Sequence, residues 1–307
     1  MQPCRSKIVI VGEILVDWIS GRYETNLSRV KSVRRHFGGS PANIAVNLNQ
    51  LGIEPALVTR VGADPFGVFL ENHLREAGVS VRHVQRDPIH PTSMVFVCKS
   101  RGSPSFFPIR GADQYLEQPE SMEELFDSVA YMHVSAWPIS HPHARKTVEA
   151  MIDMAHQKGV LVGFDPNYRK VLWEQDHDGI EYIRNLLSKV HLCKPSEDDS
   201  FHLFGVQEPY SAIRIFHELG PRQVIFSMGA KGALVSEGGV IKELPTQARV
   251  VVDTTGAGDG FWSGLYAGLS TGKNVWESAR LGNAIAAFRV ERVGTDDLLP
   301  AMNGWID

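Results

Sequence analysis

The sequence predicts an α/β fold, a mostly parallel sheet covered by helices on both faces, with a small accessory sheet inserted into it. Three observations lead there. From residue 130 onward, short apolar strands alternate with helical periods, the pattern of parallel strands buried on both sides. Two stretches, 13–37 and 91–111, interrupt that order with strand-like runs that have no helical period. No internal repeat or low-complexity linker divides the 307 residues, so insertion explains the accessory strands better than tandem domains. The expected organisation is a main domain of 1–12, 38–90 and 112–307, with 13–37 and 91–111 as the inserted unit.

The elements follow in order. Lys7 to Val11 reads as a buried strand ending at Gly12. In Phe37-Gly38-Gly39-Ser40-Pro41-Ala42-Asn43-Ile44, Ser40 is placed to cap a helix and Pro41 suits its first position. Ile44, Leu48 and Leu51 line one face before Gly52. Ala56 to Val61 is a strand, and Asp64-Pro65 opens a capped helix through Leu74 to Gly78. Strand-like runs return at 92–98 and 105–109 around a Gly-Ser-Pro turn. Ser121 and Glu124 have capping-box spacing. Strands are expected at 130–135, 160–164, 190–193 and 223–227, and helices at 142–157, 178–188, 197–204 and 210–219. A hairpin joins Ala233–Ser236 to Val240–Lys242 across Gly238-Gly239. The last third is a strand, a glycine turn, its helix, and a second helix over 275–290.

Composition narrows the function. A formal charge of −4 offers no basic face for nucleic acid. No apolar run reaches membrane-spanning length, and an apolar strand begins almost at once with no cleavable leader before it. Cys4, Cys98 and Cys193 are odd in number and widely spaced, which fits a reducing compartment, so the expected location is the cytoplasm.

The chemistry gathers at Val250-Val251-Val252-Asp253-Thr254-Thr255-Gly256-Ala257-Gly258-Asp259, where three β-branched residues run into an acid, a glycine turn and a second acid. Phe261, Leu265 and Leu269 recur at helical spacing, so a helix starts at the turn. Unpaired amides and the helix dipole make such a start an anion site. An aspartate there would repel a bound phosphate. It makes sense as a base that takes a proton from an alcohol attacking phosphorus. A Walker A loop would need Lys-Ser or Lys-Thr where Asp259-Gly260 stands, and a dinucleotide fingerprint would need more than the lone Gly12. His141-Pro142-His143, with His133, lacks a carboxylate or cysteine partner and reads as a helix start rather than a metal site. Trp137 reads as a packing residue.

Together, Gly38-Gly39-Ser40-Pro41-Ala42-Asn43, Asp165-Pro166-Asn167-Tyr168-Arg169 and the Asp253–Asp259 turn resemble the ribokinase-like (PfkB) family of carbohydrate kinases, in order along essentially the whole chain. The resemblance implies a three-layer α/β/α sandwich with a β-sheet lid, ATP and Mg2+ as cosubstrate and metal, and in many members a monovalent cation such as K+. It assigns Asp259 as base, and the amides of Gly256, Ala257 and Gly258 as an anion hole for the transferred phosphoryl group. Asp17, Gly39 and Asn43 match positions that hold sugar hydroxyls. Ser227-Met228-Gly229-Ala230-Lys231-Gly232 matches the nucleotide loop, with Asn283 and Ala287 near the base. The family's Asn-x-x-Glu run becomes Ser196-Glu197-Asp198-Asp199 after Lys194, with Asp199 linked indirectly to magnesium. Asp253, Thr255, Arg289, Arg292 and Gly294 align with monovalent-cation ligands, mostly backbone carbonyls. Open lid edges and the family pattern also allow a homodimer through the lid.

Arg110 and Arg169 bear on the substrate. Their combination resembles fructokinases and 2-keto-3-deoxygluconate kinases, and two guanidinium groups suit a carboxylate. Pro108 stands where the keto-acid kinases often carry tyrosine, and the opening Gly12-Glu13-Ile14-Leu15-Val16-Asp17 looks fructokinase-like. The expectation is a sugar kinase acting on a primary hydroxyl of fructose. The alternatives are 2-keto-3-deoxygluconate kinase, a nucleoside kinase, and an idle sugar- or nucleotide-binding regulator.

Overall fold

The computed structural model describes residues 7–99, 105–173, 179–292, 294 and 297–305. Cys4 and the turn expected at 102–104 lie outside them. The chain opens with β1 (Lys7–Val11), β2 (Leu15–Ser20), β3 (Val33–Gly38), α1 (Ser40–Gln50), β4 (Glu54–Gly62), α2 (Pro65–Glu76), β5 (Val84–Asp87), β6 (Met94–Cys98) and β7 (Ser105–Ile109). It continues through α3 (Met122–Leu125), β8 (Val129–Ser135), α4 (Ala136–Ile139), α5 (Pro142–Gln157), β9 (Leu161–Asp165), α6 (Ile180–Leu186), β10 (Leu192–Cys193) and α7 (Glu197–Phe204). It closes with α8 (Pro209–Leu219), β11 (Gln223–Ser227), β12 (Ala233–Glu237), β13 (Val240–Leu244), α9 (Ala257–Ser270) and α10 (Val275–Val290).

Among the described residues, nine strands form the main sheet in the order β13-β12-β11-β10-β9-β8-β1-β4-β5. Pairing is parallel from β5 across to β11, and β12 and β13 add an antiparallel edge. Alternation along β1 explains the layers. Val9 and Val11 pack into one core with Val148 and Met151 of α5, while Ile8 and Ile10 pack into the other with Leu48 of α1 and Trp262 of α9. A second sheet, ordered β3-β2-β6-β7, takes its strands from the two irregular stretches. It is where the accessory sheet was expected.

Local chemistry sets the helix starts. Asp64 caps α2 by accepting from the amides of Phe66 and Gly67, both at 2.9 Å, a contact worth about 1 kcal/mol. Ser196 and Asp199 close a capping box on α7, and Asn274 and Glu277 close another on α10.

Three local expectations are corrected. Ser40 does not cap α1; Gly39 is the cap residue, and the Ser40 hydroxyl points to Asp259. Ser121 makes no capping bond, and its helix α3 has only four residues. Most informative, the valine run 250–252 is no strand. Its side chains are 46–60 % exposed, and its pairing is confined to the Val252 and Asp253 amides on the Val290 carbonyl. β-Propensity had no neighbouring strand edge to act on. Strand β5 and helix α4 were not foreseen.

Helices α9 and α10 pack almost backbone to backbone. A methyl group on Gly264 would stand 2.7 Å from the Gly282 Cα. Gly264→Val is therefore expected to destabilise the protein by about 1–3 kcal/mol, the usual range for overpacking, read as a lower urea midpoint with an unchanged slope.

Candidate active site

In a parallel sheet the free carboxyl ends of the strands gather on one side, and that is where a ligand cleft forms. Here that edge carries Glu13 just after β1, Asp165 ending β9, Lys194 just after β10 and Ser227 ending β11. Gly256, in the left-handed region at φ +73°, turns the chain so that α9 begins over the same edge.

Asp259 lies in the first turn of α9. Its Oδ1 accepts from the Ser40 hydroxyl at 2.6 Å and its Oδ2 from the Asn43 amide at 2.9 Å. Burial raises its carboxyl above the ordinary range; the Ser40 and Asn43 bonds pull the other way, the Asp165 charge adds to the rise and Lys194 opposes it. Beside it, the amides of Gly256 and Gly258 have no backbone acceptor among the described residues, while the Ala257 amide leans on the Thr254 carbonyl at 3.3 Å.

On the other side of Asp259 stands Asp17 of β2. Burial, and then the charge of Asp259, push its carboxyl up to about 7. Glycine at 38 makes room for it, since a Cβ there would lie 2.2 Å from Asp17 Oδ2. Gly39, at φ +100°, lets the chain pass the Glu13 carbonyl, which a Cβ would meet at 2.5 Å. The structure thus brings Asp17, Gly39, Asn43 and Asp259 together.

A cavity of about 730 Å³ opens behind the Gly258 turn. It is lined by Lys194, Ser196, Ser227, Gly229, Gly232, Asn283 and Ala287, all seven residues assigned to the nucleotide. The volume suits a ligand of nucleotide size. Its far end is apolar, with Val250, Val251, Ala286 and Val290. Asn283 donates from Nδ2 to the Pro245 carbonyl at 2.7 Å, which ties the overlying loop to α10.

Asp199 does not line that cavity. Its carboxylate accepts from the Ser196 amide and hydroxyl and from the Tyr168 amide, so it serves the helix cap. Glu197 and Asp198 are the acids at the cavity wall. Asp253 also works through its side chain, accepting from Thr255 at Oδ1 and from the Gly294 amide at Oδ2. It holds the turn against the end of α10, leaving backbone carbonyls as the donors for a cation. That donor set suits a hard monovalent ion. Arg289 is buried, with its guanidinium on Asn47 and on the Asp297 carbonyl; Arg292 donates to the Phe288 carbonyl.

Arg110 is not an open clamp. Its Nε and Nη2 reach Asp113 Oδ2 at 3.0 and 2.6 Å, Nη1 reaches the Ser140 hydroxyl at 2.5 Å, and Nη2 also reaches the Trp137 carbonyl at 3.3 Å. Trp137 donates to the same Asp113 oxygen at 2.7 Å, so it braces the arginine as well as packing. Arg169 is half-buried and donates to the neighbouring Tyr168 carbonyl. His133 is fully buried against Tyr266 and Trp262, and His141 caps α5. No metal-binding cluster of His, Cys, Asp or Glu occurs among the described residues.

Residues 5–302 match the pfkB family carbohydrate kinases. The chain belongs to that family. It is 43 % identical over 293 residues, covering 95 % of itself and 90 % of its counterpart, to an ATP-dependent 6-phosphofructokinase of Thermoanaerobacterium thermosaccharolyticum. The fold matches a fructokinase of Halothermothrix orenii with a TM-score of 0.82 at 40 % identity, over 92 % of this chain and 99 % of that one. It also matches a double-mutant fructokinase of Vibrio cholerae, solved with fructose, ADP and a potassium ion, with a TM-score of 0.87 at 26 % identity, over 99 % and 98 % of the two chains. The α/β sandwich with its small second sheet is thus the ribokinase-like fold, and the protein is a phosphotransferase of a carbohydrate-kinase family that uses ATP.

Sequence reasoning missed Glu13 and Ser40 as parts of this site. Glu13 is buried beneath the cleft, its Oε2 has no partner among the described residues, and burial, ahead of the nearby Asp113 charge, drives its carboxyl well up. Its signal was the strand-end position after Gly12. Ser40 was visible in the motif but read as a cap.

Because Asp17 holds its proton up to about pH 7 when folded, against an ordinary value of 3.8, its contribution to stability is full below about pH 4 and is lost as pH rises through 7. Asp17→Asn cannot ionise. The ligand-free variant is expected to gain melting temperature relative to the parent between pH 5 and pH 8, by about 2 °C or more. A difference that stays flat across that range would show that Asp17 bears no such charge cost.

Proposed function

We propose that this protein is an ATP-dependent fructokinase, which transfers the terminal phosphoryl group of ATP to a primary hydroxyl of fructose. One observation supports this most: Asp259 sits between a hydroxyl-binding set (Asp17, Gly39, Asn43) and a nucleotide-sized cavity that begins at Gly258. The sugar hydroxyl is held by these groups, Asp259 accepts its proton as it attacks, and the amides of Gly256, Ala257 and Gly258 meet the charge on the phosphoryl oxygens. Glu197 and Asp198, at the cavity wall, are the acids that would face a magnesium ion brought with ATP, which would offset phosphate charge when bound. Asp253, Thr255, Arg289, Arg292 and Gly294 are the residues whose backbone carbonyls would hold a potassium ion in this reading, and the potassium-bound Vibrio fructokinase supports it.

Fructose is favoured over a sugar acid because four of the five Arg110 donor positions already face Asp113, Ser140 and Trp137. With Glu13, Asp17, Asp113 and Asp259 around it, the cleft suits a neutral polyol. A second reading, fructose 6-phosphate as acceptor, is favoured by the 43 % identity to a 6-phosphofructokinase. Segments 13–37 and 91–111 act in this proposal as a lid whose Asp17 face closes on the sugar, and its exposed Phe107 and Ile109 are the surface through which two copies would pair. Cys98 and Cys193 are buried free thiols, which suits work in the cytoplasm.

A coupled ADP-release assay with fructose, fructose 6-phosphate, 2-keto-3-deoxygluconate, ribose and adenosine is expected to give the highest kcat/KM with fructose. The highest value with fructose 6-phosphate would establish the second reading, and no release with any acceptor would establish a binding regulator. Asp259→Asn is expected to lower kcat by roughly 10²–10⁴-fold with little change in fructose binding by calorimetry.

A further inference from the structure

We propose that Asp165 is a positioning residue for phosphoryl transfer, which holds the Lys194 ammonium against Gly258, between the phosphoryl-binding amides and the Asp259 base. Asp165 is the last residue of β9 and is 7 % exposed. Its Oδ2 accepts from the Trp262 indole N–H at 2.8 Å and lies 3.4 Å from Lys194 Nζ. Trp262 is fully buried and follows Asp259 by three residues, about one helical turn. Its ring is also 5.7 Å from the same ammonium. One carboxylate thus binds the helix that presents the base and the cation beside it.

Lys194 is placed from both ends. Its amide donates to the Phe164 carbonyl at 3.1 Å, and its side chain is buried. A buried ammonium is stable only with a partner, and Asp165 is its only ion-pair partner among the described residues. A Cβ built on Gly258 would be 3.7 Å from Nζ, so the charge lies at the turn whose amides face the phosphoryl group. Asp165 meets it from the strand side, leaving other ammonium N–H groups for phosphate oxygens. Asp165 forms and breaks no bond itself.

The pair also acts on the base with opposite signs. The groups facing Asp259 are Ser40 and Asn43 from α1, Asp17 from β2, Glu13 after β1, Asp165 from β9 and Lys194 after β10. Of the last two, the carboxylate favours protonation of Asp259 and the ammonium opposes it.

The inference rests on the reading of Asp259 as a base. Asp165→Asn keeps a carbonyl oxygen for Trp262 but removes the charge; Lys194→Met removes the cation. Asp165→Asn is expected to move the acid limb of the kcat/KM profile for the sugar to lower pH, and Lys194→Met to higher pH, each by about half a unit or more. Calorimetry with ADP and no sugar is expected to show binding about tenfold weaker in Lys194→Met and weakened less in Asp165→Asn, whose kcat falls because the cation is no longer held in place. Unmoved limbs in both variants, limbs moving the same way, or equal loss of ADP affinity in both would overturn the proposal. If Asp165→Asn fails to fold, as read from circular dichroism and melting, the Lys194→Met limb decides alone. No ADP release from the parent with any sugar would defeat the kinase reading instead, and ADP affinities would still decide whether Lys194 faces the phosphates.

Discussion

The contact on which this molecule turns is a carboxylate shared by two helix starts. Ser40 and Asn43 of α1 both donate to Asp259 of α9, so two helix N-termini from distant parts of the chain converge on one negative charge. Each contributes partial positive charge at its first turn, which offsets part of the desolvation that burial imposes on Asp259. The neighbouring features follow from bringing these termini so close. Gly39 allows α1 to begin against the Glu13 backbone, Gly256 allows α9 to begin over the sheet edge, and Gly264 allows α9 to lie against α10.

Charge balance in the cleft is the second constraint. Acids outnumber cations there. Glu13, Asp17 and Asp259 are all driven upward, chiefly by burial, while Arg110 is bound to Asp113 and Lys194 to Asp165. Such an arrangement is tolerable because burial favours the neutral form of these carboxyls and the others are bonded, and it is poorly suited to a further anion nearby. Toward the Gly258 turn the character reverses, with open amides and the Lys194 ammonium. In the proposed reaction a neutral hydroxyl would approach from the acidic side and an anionic donor from the other. Asp259 stands on the border.

Much of the fold was legible because its signals are local. The helices at 142–157, 197–204 and 275–290 and the strand at 223–227 appear where hydrophobic period and caps put them. The seven residues that the resemblance linked to a nucleotide also line one cavity. What was not legible depended on tertiary partners. Three valines in a row at 250–252 carry strong β-propensity, yet no strand edge is available to them. Ser40 has the chemistry of a cap, but a carboxylate 219 residues away competes for its hydroxyl. Arg110 and Arg169 looked like a pair; only the fold reveals that Asp113, Ser140 and Trp137 surround the first. Glu13 left almost no trace, since a single acid after a strand is commonplace until its burial is known.

The fit of Asp17 against Gly38 has a consequence for how this site can vary. The carboxylate oxygen occupies the place where any side chain at 38 would begin. The two positions therefore form one mutational unit. A larger residue at 38 expels the acid, and a smaller residue at 17 leaves a void that only a side chain at 38 can refill. A change at either position on this side of the cleft therefore alters the space left to the other, so the two are best varied together.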